Sequence, residues 1–217
     1  MLTFPKTTEF NKRIPKQKFY NNLRVSTRLE ELFVKEIDTI YWRNKLSPET
    51  LNVTVGSRVT EIEIIEINLK EDKLSQDVIE FIDREIPYHL VFILRYKDLA
   101  RICVSYKEDS KNREGKFKVD AYYKTQWMKY EDLSLKIEGL NLDTIYENFI
   151  LQVAGERLEQ EDGVDLKDIV EKAKEKERLE SLIFTLKKRI RNEKQYNIQV
   201  RLMGELRKIK KQLKSIS

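Results

Sequence analysis

From Leu166 to Ser217 the chain contains no proline, and its apolar residues recur three and four positions apart: Leu179, Ile183, Leu186 and Ile190, then Val200, Met203, Leu206, Ile209, Leu213 and Ile216. That spacing belongs to a helix hiding one stripe against a neighbour, as in a coiled coil, and does not fit the two-residue period of a strand. Asn192 to Asn197 interrupts the stripe, so the segment reads as two helices folded into an antiparallel hairpin. A single rod of about 50 residues, roughly 75 Å long, is the alternative. Gly204 costs a helix ~1 kcal/mol relative to alanine and marks a point where a facing helix is expected to come close. In either arrangement part of the stripe stays exposed until something covers it. Leu179, Ile183, Leu186, Ile190, Val200, Met203, Leu206 and Leu213 are therefore the expected partner-binding residues, the cover being another protein or a second copy of the chain.

Charge is sorted along the sequence. Basic minus acidic residues give +5 over 1–30, −9 over 31–177 and +9 over 178–217, within a formal total of +5. Either the basic ends fold back on the acidic middle or they meet an anionic partner such as nucleic acid. Lys16 and Lys18 stand beside Phe19 and Tyr20, while Lys187, Lys188, Arg189, Arg191 and Lys194 crowd one stretch of the arm. These are the candidate nucleic-acid contacts, of a sequence-independent and salt-sensitive kind. The plainer reading is that lysines keep a helical surface hydrated.

The middle can bury a core, because 40% of the residues are hydrophobic and 10 Tyr and 9 Phe are present. The single cysteine, Cys103, excludes an intrachain disulfide and fits a reducing compartment. No stretch resembles a signal peptide or the ~20 apolar residues of a membrane span, so the expectation is a soluble cytoplasmic protein without membrane contact.

Residues 1–25 mix prolines, lysines and aromatics without a period and read as an extended basic segment pinned by Phe10, Phe19 and Tyr20. Thr27 to Lys45 reads as a helix: Ser26 and Thr27 offer cap hydroxyls, Glu30 sits at the capping-box position, and Leu29, Phe33, Ile37, Ile40 and Tyr41 follow at helical spacing. Val59 to Leu69 alternates as a strand, and a bulge at Ile64–Ile65 would reconcile Ile62 and Ile64 with the opposite phase of Ile65, Ile67 and Leu69. Ser75 caps a helix through Val78, Ile79, Ile82 and Ile86 that Pro87 ends. His89 to Tyr96 and Arg101 to Tyr106 form a hairpin about Lys97–Asp98, and after a polar loop, Glu108 to Lys116, a strand runs from Phe117 to Trp127. Asp143 caps a helix ending near Gly155. The fold class is α+β, a small and mostly antiparallel sheet packed with helices over 26–155, then a linker over 156–164 and a C-terminal α-helical coiled-coil hairpin over 165–217.

For chemistry, Glu61, Glu63 and Glu66 with Lys70 form the one candidate set, since a nuclease needs clustered carboxylates to hold Mg²⁺ and a lysine to position water. Against it, Glu61 and Glu63 share a face that Glu66 reaches only through a bulge, so a solvated strand face is the preferred reading. His89, the only histidine, cannot with one cysteine make a four-ligand zinc site and reads as a hydrogen-bonded residue at a strand start. Neither a G-x-S-x-G elbow nor a glycine-rich phosphate loop occurs. No catalytic residue and no cofactor is expected.

The segments Phe4-Pro5-Lys6, Asn11-Lys12-Arg13-Ile14-Pro15-Lys16, Ile40-Tyr41-Trp42-Arg43-Asn44-Lys45, Ile82-Asp83-Arg84-Glu85-Ile86-Pro87-Tyr88-His89, Glu138-Gly139-Leu140-Asn141, Tyr146-Glu147-Asn148-Phe149 and Glu193-Lys194-Gln195-Tyr196-Asn197 together resemble the prokaryotic domain of unknown function 4391 family. The likeness spans nearly the whole chain. It implies an accessory protein encoded beside helicase and DNA-methyltransferase genes in restriction or phage-defence clusters, and it supplies no catalytic residues. The expected function is thus a non-enzymatic adaptor binding a helicase or DNA methyltransferase, with DNA contact and a homodimer as further possibilities. The alternative is a Mg²⁺-dependent nuclease subunit.

Overall fold

In the computed structural model, which describes residues 2, 4–20, 25–109, 117–158 and 163–216, the chain divides into two units, 1–155 and 156–217. Strands β1 (Glu9–Ile14), β2 (Ile37–Leu46), β3 (Ile62–Leu69), β4 (His89–Tyr96), β5 (Leu99–Asp109) and β6 (Phe117–Lys124) lie side by side in chain order, and β7 (Met128–Lys129) pairs with β5. Helices α1 (Gln17–Tyr20), α2 (Thr27–Glu36), α3 (Pro48–Leu51), α4 (Gln76–Glu85) and α5 (Leu142–Ala154) complete the first unit. Neighbouring strands are antiparallel except β3 and β4, which α4 joins in parallel, the connection that a parallel pair requires. The architecture is the mixed, mostly antiparallel sheet with helices that the sequence implied.

β3 lies inside the sheet and is buried on both faces. Ile65, Ile67 and Leu69 join Phe33 of α2, Val78, Ile79 and Ile82 of α4, and Leu90, Phe92 and Leu94 of β4 in one core, with Cys103 among them. Each such side chain stabilises the fold by about 1.5–3 kcal/mol relative to exposure. The opposite face holds Ile62, Ile64, Val91, Ile93, Ile102 and Val104, also buried, and α5 packs over β5 and β6.

The helix expected over Thr27–Lys45 stops at Glu36, and the chain continues as β2. The apparent helical period has a physical origin in two bulges. Ile37 pairs with Leu69 and Thr39 with Asn68, and Trp42 pairs with Ile65 while Asn44 pairs with Ile64, so Asp38 and Arg43 are each one residue extra on β2. Every such insertion shifts the strand's two-residue alternation by one, and the buried positions fall at Ile37, Ile40, Asn44 and Leu46. The bulge expected within β3 is therefore carried by its partner. The α2 cap is Ser26, whose hydroxyl accepts from the Leu29 amide, and not Thr27.

Two further local expectations are corrected. The N-terminal segment is the edge strand β1 followed by α1, held by Phe10 against Trp42 and Phe19 against Phe33. Helix α5 is capped by Asn141, whose carbonyl oxygen accepts from the Thr144 amide. Asp143, within the first turn, accepts instead from the Ser57, Arg58 and Val59 amides and the Ser57 hydroxyl. A Cβ on Gly56 would fall 2.2 Å from the Asp143 carboxylate, so only glycine lets this loop close on it. The loop leads directly into Glu61 and β3. Parts of the expected Glu108–Lys116 loop and of the 156–164 linker, residues 110–116 and 159–162, lie outside the described residues.

In the second unit α6 (Leu166–Asn192) and α7 (Tyr196–Ile216) pack on each other as a hairpin and not as one rod. Asp165 caps α6 by accepting from the Lys167 amide, and Gln199 of α7 donates back to the Ile190 carbonyl across the turn. A Cβ on Gly204 meets nothing within 4 Å, so the expected close approach at this glycine does not occur. Gly204→Ala should accordingly stabilise the hairpin by up to ~1 kcal/mol, read as a higher midpoint in thermal unfolding followed by circular dichroism.

Candidate functional site

Glu61 and Glu63 meet the outer strands at the start of β3. Glu63 is 1% exposed and accepts from the Trp42 indole N–H, while the Glu61 carboxylate lies 2.5 Å from Lys45 Nζ. The second Glu63 oxygen is buried and takes no hydrogen bond. Burial first, and the neighbouring Glu61 carboxylate second, push the Glu63 carboxyl up to about 9. Two ionised carboxylates offer each other only acceptors, so one proton held between them satisfies both. The Glu63 carboxyl is therefore protonated at neutral pH.

Glu66 stands three residues further on an uninterrupted strand and so points to the other face. There it is fully buried, bound by the Arg43 guanidinium at 2.8 and 3.1 Å, with the Tyr130 hydroxyl 3.4 Å away. Lys70 is turned away again, donating to the Val34 carbonyl at 2.7 Å. The four residues of the nuclease set thus occupy three separate environments. Among the described residues no group of three or more His, Cys, Asp and Glu side chains is arranged to hold a metal ion. Sequence reasoning missed Trp42, Arg43 and Lys45 because it placed them on a helix. Opposite charges on neighbouring strands, Arg43 and Lys45 facing Glu66 and Glu61, were the available signal.

A second buried polar group sits where β4 and β5 separate. Lys107 Nζ is 2.7 Å from Asp83 Oδ1, with side chains 4% and 0% exposed, and it also donates to the Tyr88 carbonyl. The Tyr122 hydroxyl donates to Asp83 Oδ2 at 2.9 Å. The Tyr146 hydroxyl lies 2.8 Å from the Ser105 carbonyl and 3.1 Å from that of Leu90, two groups beyond the last paired residues, Val91 and Val104. His89 is buried with its ring 4.7 Å from that of Tyr146. Burial, and secondarily Lys107, lower its basicity to about 3, so it is neutral. Every member has a structural task, and none faces solvent as a nucleophile would.

The expected arm residues divide. Leu179, Ile183 and Leu186 are buried, as is Leu202, which the sequence reading passed over. Ile190, Leu206, Ile209, Leu213 and Ile216 are half-buried. Val200 and Met203 are exposed, 49% and 41%, because Leu202 and its neighbour Ile198 take the inward positions of α7. Of the basic candidates, Lys16 donates to the Ile37 carbonyl, whereas Lys18, Lys187, Lys188, Arg189, Arg191 and Lys194 are exposed.

Two consequences are measurable. Glu63 keeps its proton in the folded chain over a range, from the ordinary 4.5 to about 9, where the unfolded chain has released it, so folding stability falls as pH rises through that window. Glu63→Gln removes this slope, up to about 1.4 kcal/mol per pH unit, and its unfolding midpoint should exceed that of the parent increasingly from pH 5 to 9. Breaking the Asp83–Lys107 pair by Lys107→Met should cost roughly 3–5 kcal/mol, and Asp83→Asn with Lys107→Met should recover part of it, in urea titrations.

A family model described as a domain of unknown function, DUF4391, matches residues 2–213. No curated protein and no solved structure matches the chain. Among the described residues no helix is long and apolar enough to cross a membrane.

Proposed function

The chain belongs to the DUF4391 family, whose function is unknown, and from that premise we propose that it is a cytoplasmic, non-enzymatic adaptor of a restriction or phage-defence system. Its helical hairpin docks a helicase or DNA methyltransferase. The observation that carries this reading is the gathering of exposed large apolar residues at one end of the hairpin. Val200 and Met203, one helical turn apart at the start of α7, are 49% and 41% exposed. Apolar groups clustered on a surface mark an interaction site, whereas scattered ones do not.

Charge selects the occupant. Residues 181–202 carry six basic side chains and one acidic. Two copies meeting through this end would bring like charges together, so an acidic surface of a different protein fits better than a homodimer. The alternative, a nuclease using Glu61, Glu63, Glu66 and Lys70 around Mg²⁺, is less well supported, because Glu63 and Glu66 lie on opposite faces of β3.

Val200→Gln with Met203→Gln should weaken binding to the helicase or methyltransferase encoded beside this protein by at least about ten-fold, measured by calorimetry with purified proteins. Val34→Gln, at an exposed apolar position on the first unit, should leave it unchanged. Undiminished affinity in the double variant would remove the hairpin from the docking surface.

A further inference from the structure

We propose that one side of the α6/α7 hairpin binds single-stranded nucleic acid, which deepens the adaptor reading by naming what the adaptor brings to its partner. On α6, Phe184, Lys187, Lys188 and Arg191 stand at i, i+3, i+4 and i+7 and share a face, all exposed. On α7, Tyr196 shares a face with Arg207, Lys210, Lys211 and Lys214, again all exposed.

At about 100° per residue each set is centred roughly 120° around its helix from the inward stripe, and in the same rotational sense. The two helices run in opposite directions. The same sense on antiparallel neighbours places both sets on the same side of the pair, one flanking each helix. That side carries seven basic side chains, and its carboxylates, Glu177 and Glu180, precede Phe184 on α6. The other side holds Arg178, Arg189, Arg201 and Lys208 interspersed with Glu171, Glu175 and Glu205, and no exposed aromatic ring.

A row of cations offers contacts to phosphates spaced along a backbone. Two rings left open to solvent, Phe184 at 72% and Tyr196 at 75%, offer stacking surfaces that every unpaired base fits and that a base inside a duplex cannot reach. Cations and rings on one side are the combination that single-stranded binders use. A lipid surface would use the cations but would favour a continuous apolar stripe, which Arg207 to Lys214 interrupts on this side.

The test is fluorescence anisotropy of a labelled oligothymidylate with the full chain across a salt series. Binding should weaken with salt, and Lys187→Gln, Lys188→Gln and Arg191→Gln together should reduce the log–log salt slope by about 2. Phe184→Ala and Tyr196→Ala should each lower affinity roughly ten-fold with the slope unchanged. Arg189→Gln, Arg201→Gln and Lys208→Gln, the same charge change on the other side, should have little effect. Helicity by circular dichroism verifies that each variant is folded. Equal losses from the two triple variants, unaltered affinity without the rings, or binding confined to duplex or to anionic vesicles would each overturn the proposal. Since the assay needs no partner, loss of partner binding in the Val200/Met203 variant and loss of oligonucleotide binding in these variants are separate outcomes.

Discussion

A strand buried on both faces has no place for an unpaired charge, yet β3 carries Glu63 and Glu66. An isolated carboxylate in such a site costs many kcal/mol, so each must be neutralised where it stands. The two solutions differ. Glu66 is met in two hydrogen bonds by Arg43, a fork matched to a carboxylate. Glu63 gives up its charge, held protonated by burial and by the neighbouring Glu61 carboxylate, and accepts from Trp42. Both answers come from adjacent residues of β2, Trp42 and Arg43, which the strand's ordinary alternation aims at opposite faces. The centre of the sheet is thus fixed by β2 as much as by its own isoleucines.

Such dependence explains which parts of the fold were legible. The β4–β5 hairpin, α4, and the α6/α7 hairpin each advertise themselves through an unbroken period and a nearby turn or cap. β2 does not, because two bulges give Ile37, Ile40 and Tyr41 a spacing that a helix also produces, and only the pairing partner reveals the difference. The same disguise hid Trp42, Arg43 and Lys45 as partners of the glutamates. Asp143 reads as a helix cap from its position, but the loop that it holds lies more than eighty residues earlier in the sequence. Long-range contacts of this kind leave no local mark.

In the arm, sequence periodicity found the helices and their inward face on α6 but not the first turns of α7. Val200 and Met203 continue the three-and-four spacing into Leu206, and so do Ile198 and Leu202. One helix carries two overlapping apolar stripes, and packing on α6 chooses between them. The stripe that is left outside is the one with Tyr196 above it and lysines below, so the residues available for recognition are those that the hairpin did not select.

The extra residue at Arg43 also sets how the protein can change over evolutionary time. A strand repeats every two positions, and deleting that residue would leave Trp42 and Asn44 in regular pairing with Ile65 and Ile64 but strip buried Glu66 of its guanidinium. A deletion at any other position between the two bulges would make the residues on one side of it exchange faces against a partner strand that cannot follow, because β3 is locked in unshifted register to β4. Length should therefore be invariant across β2 while residue type drifts. The connection at Glu193–Gln195 faces no such parity, and there insertions should accumulate among relatives without disturbing either helix.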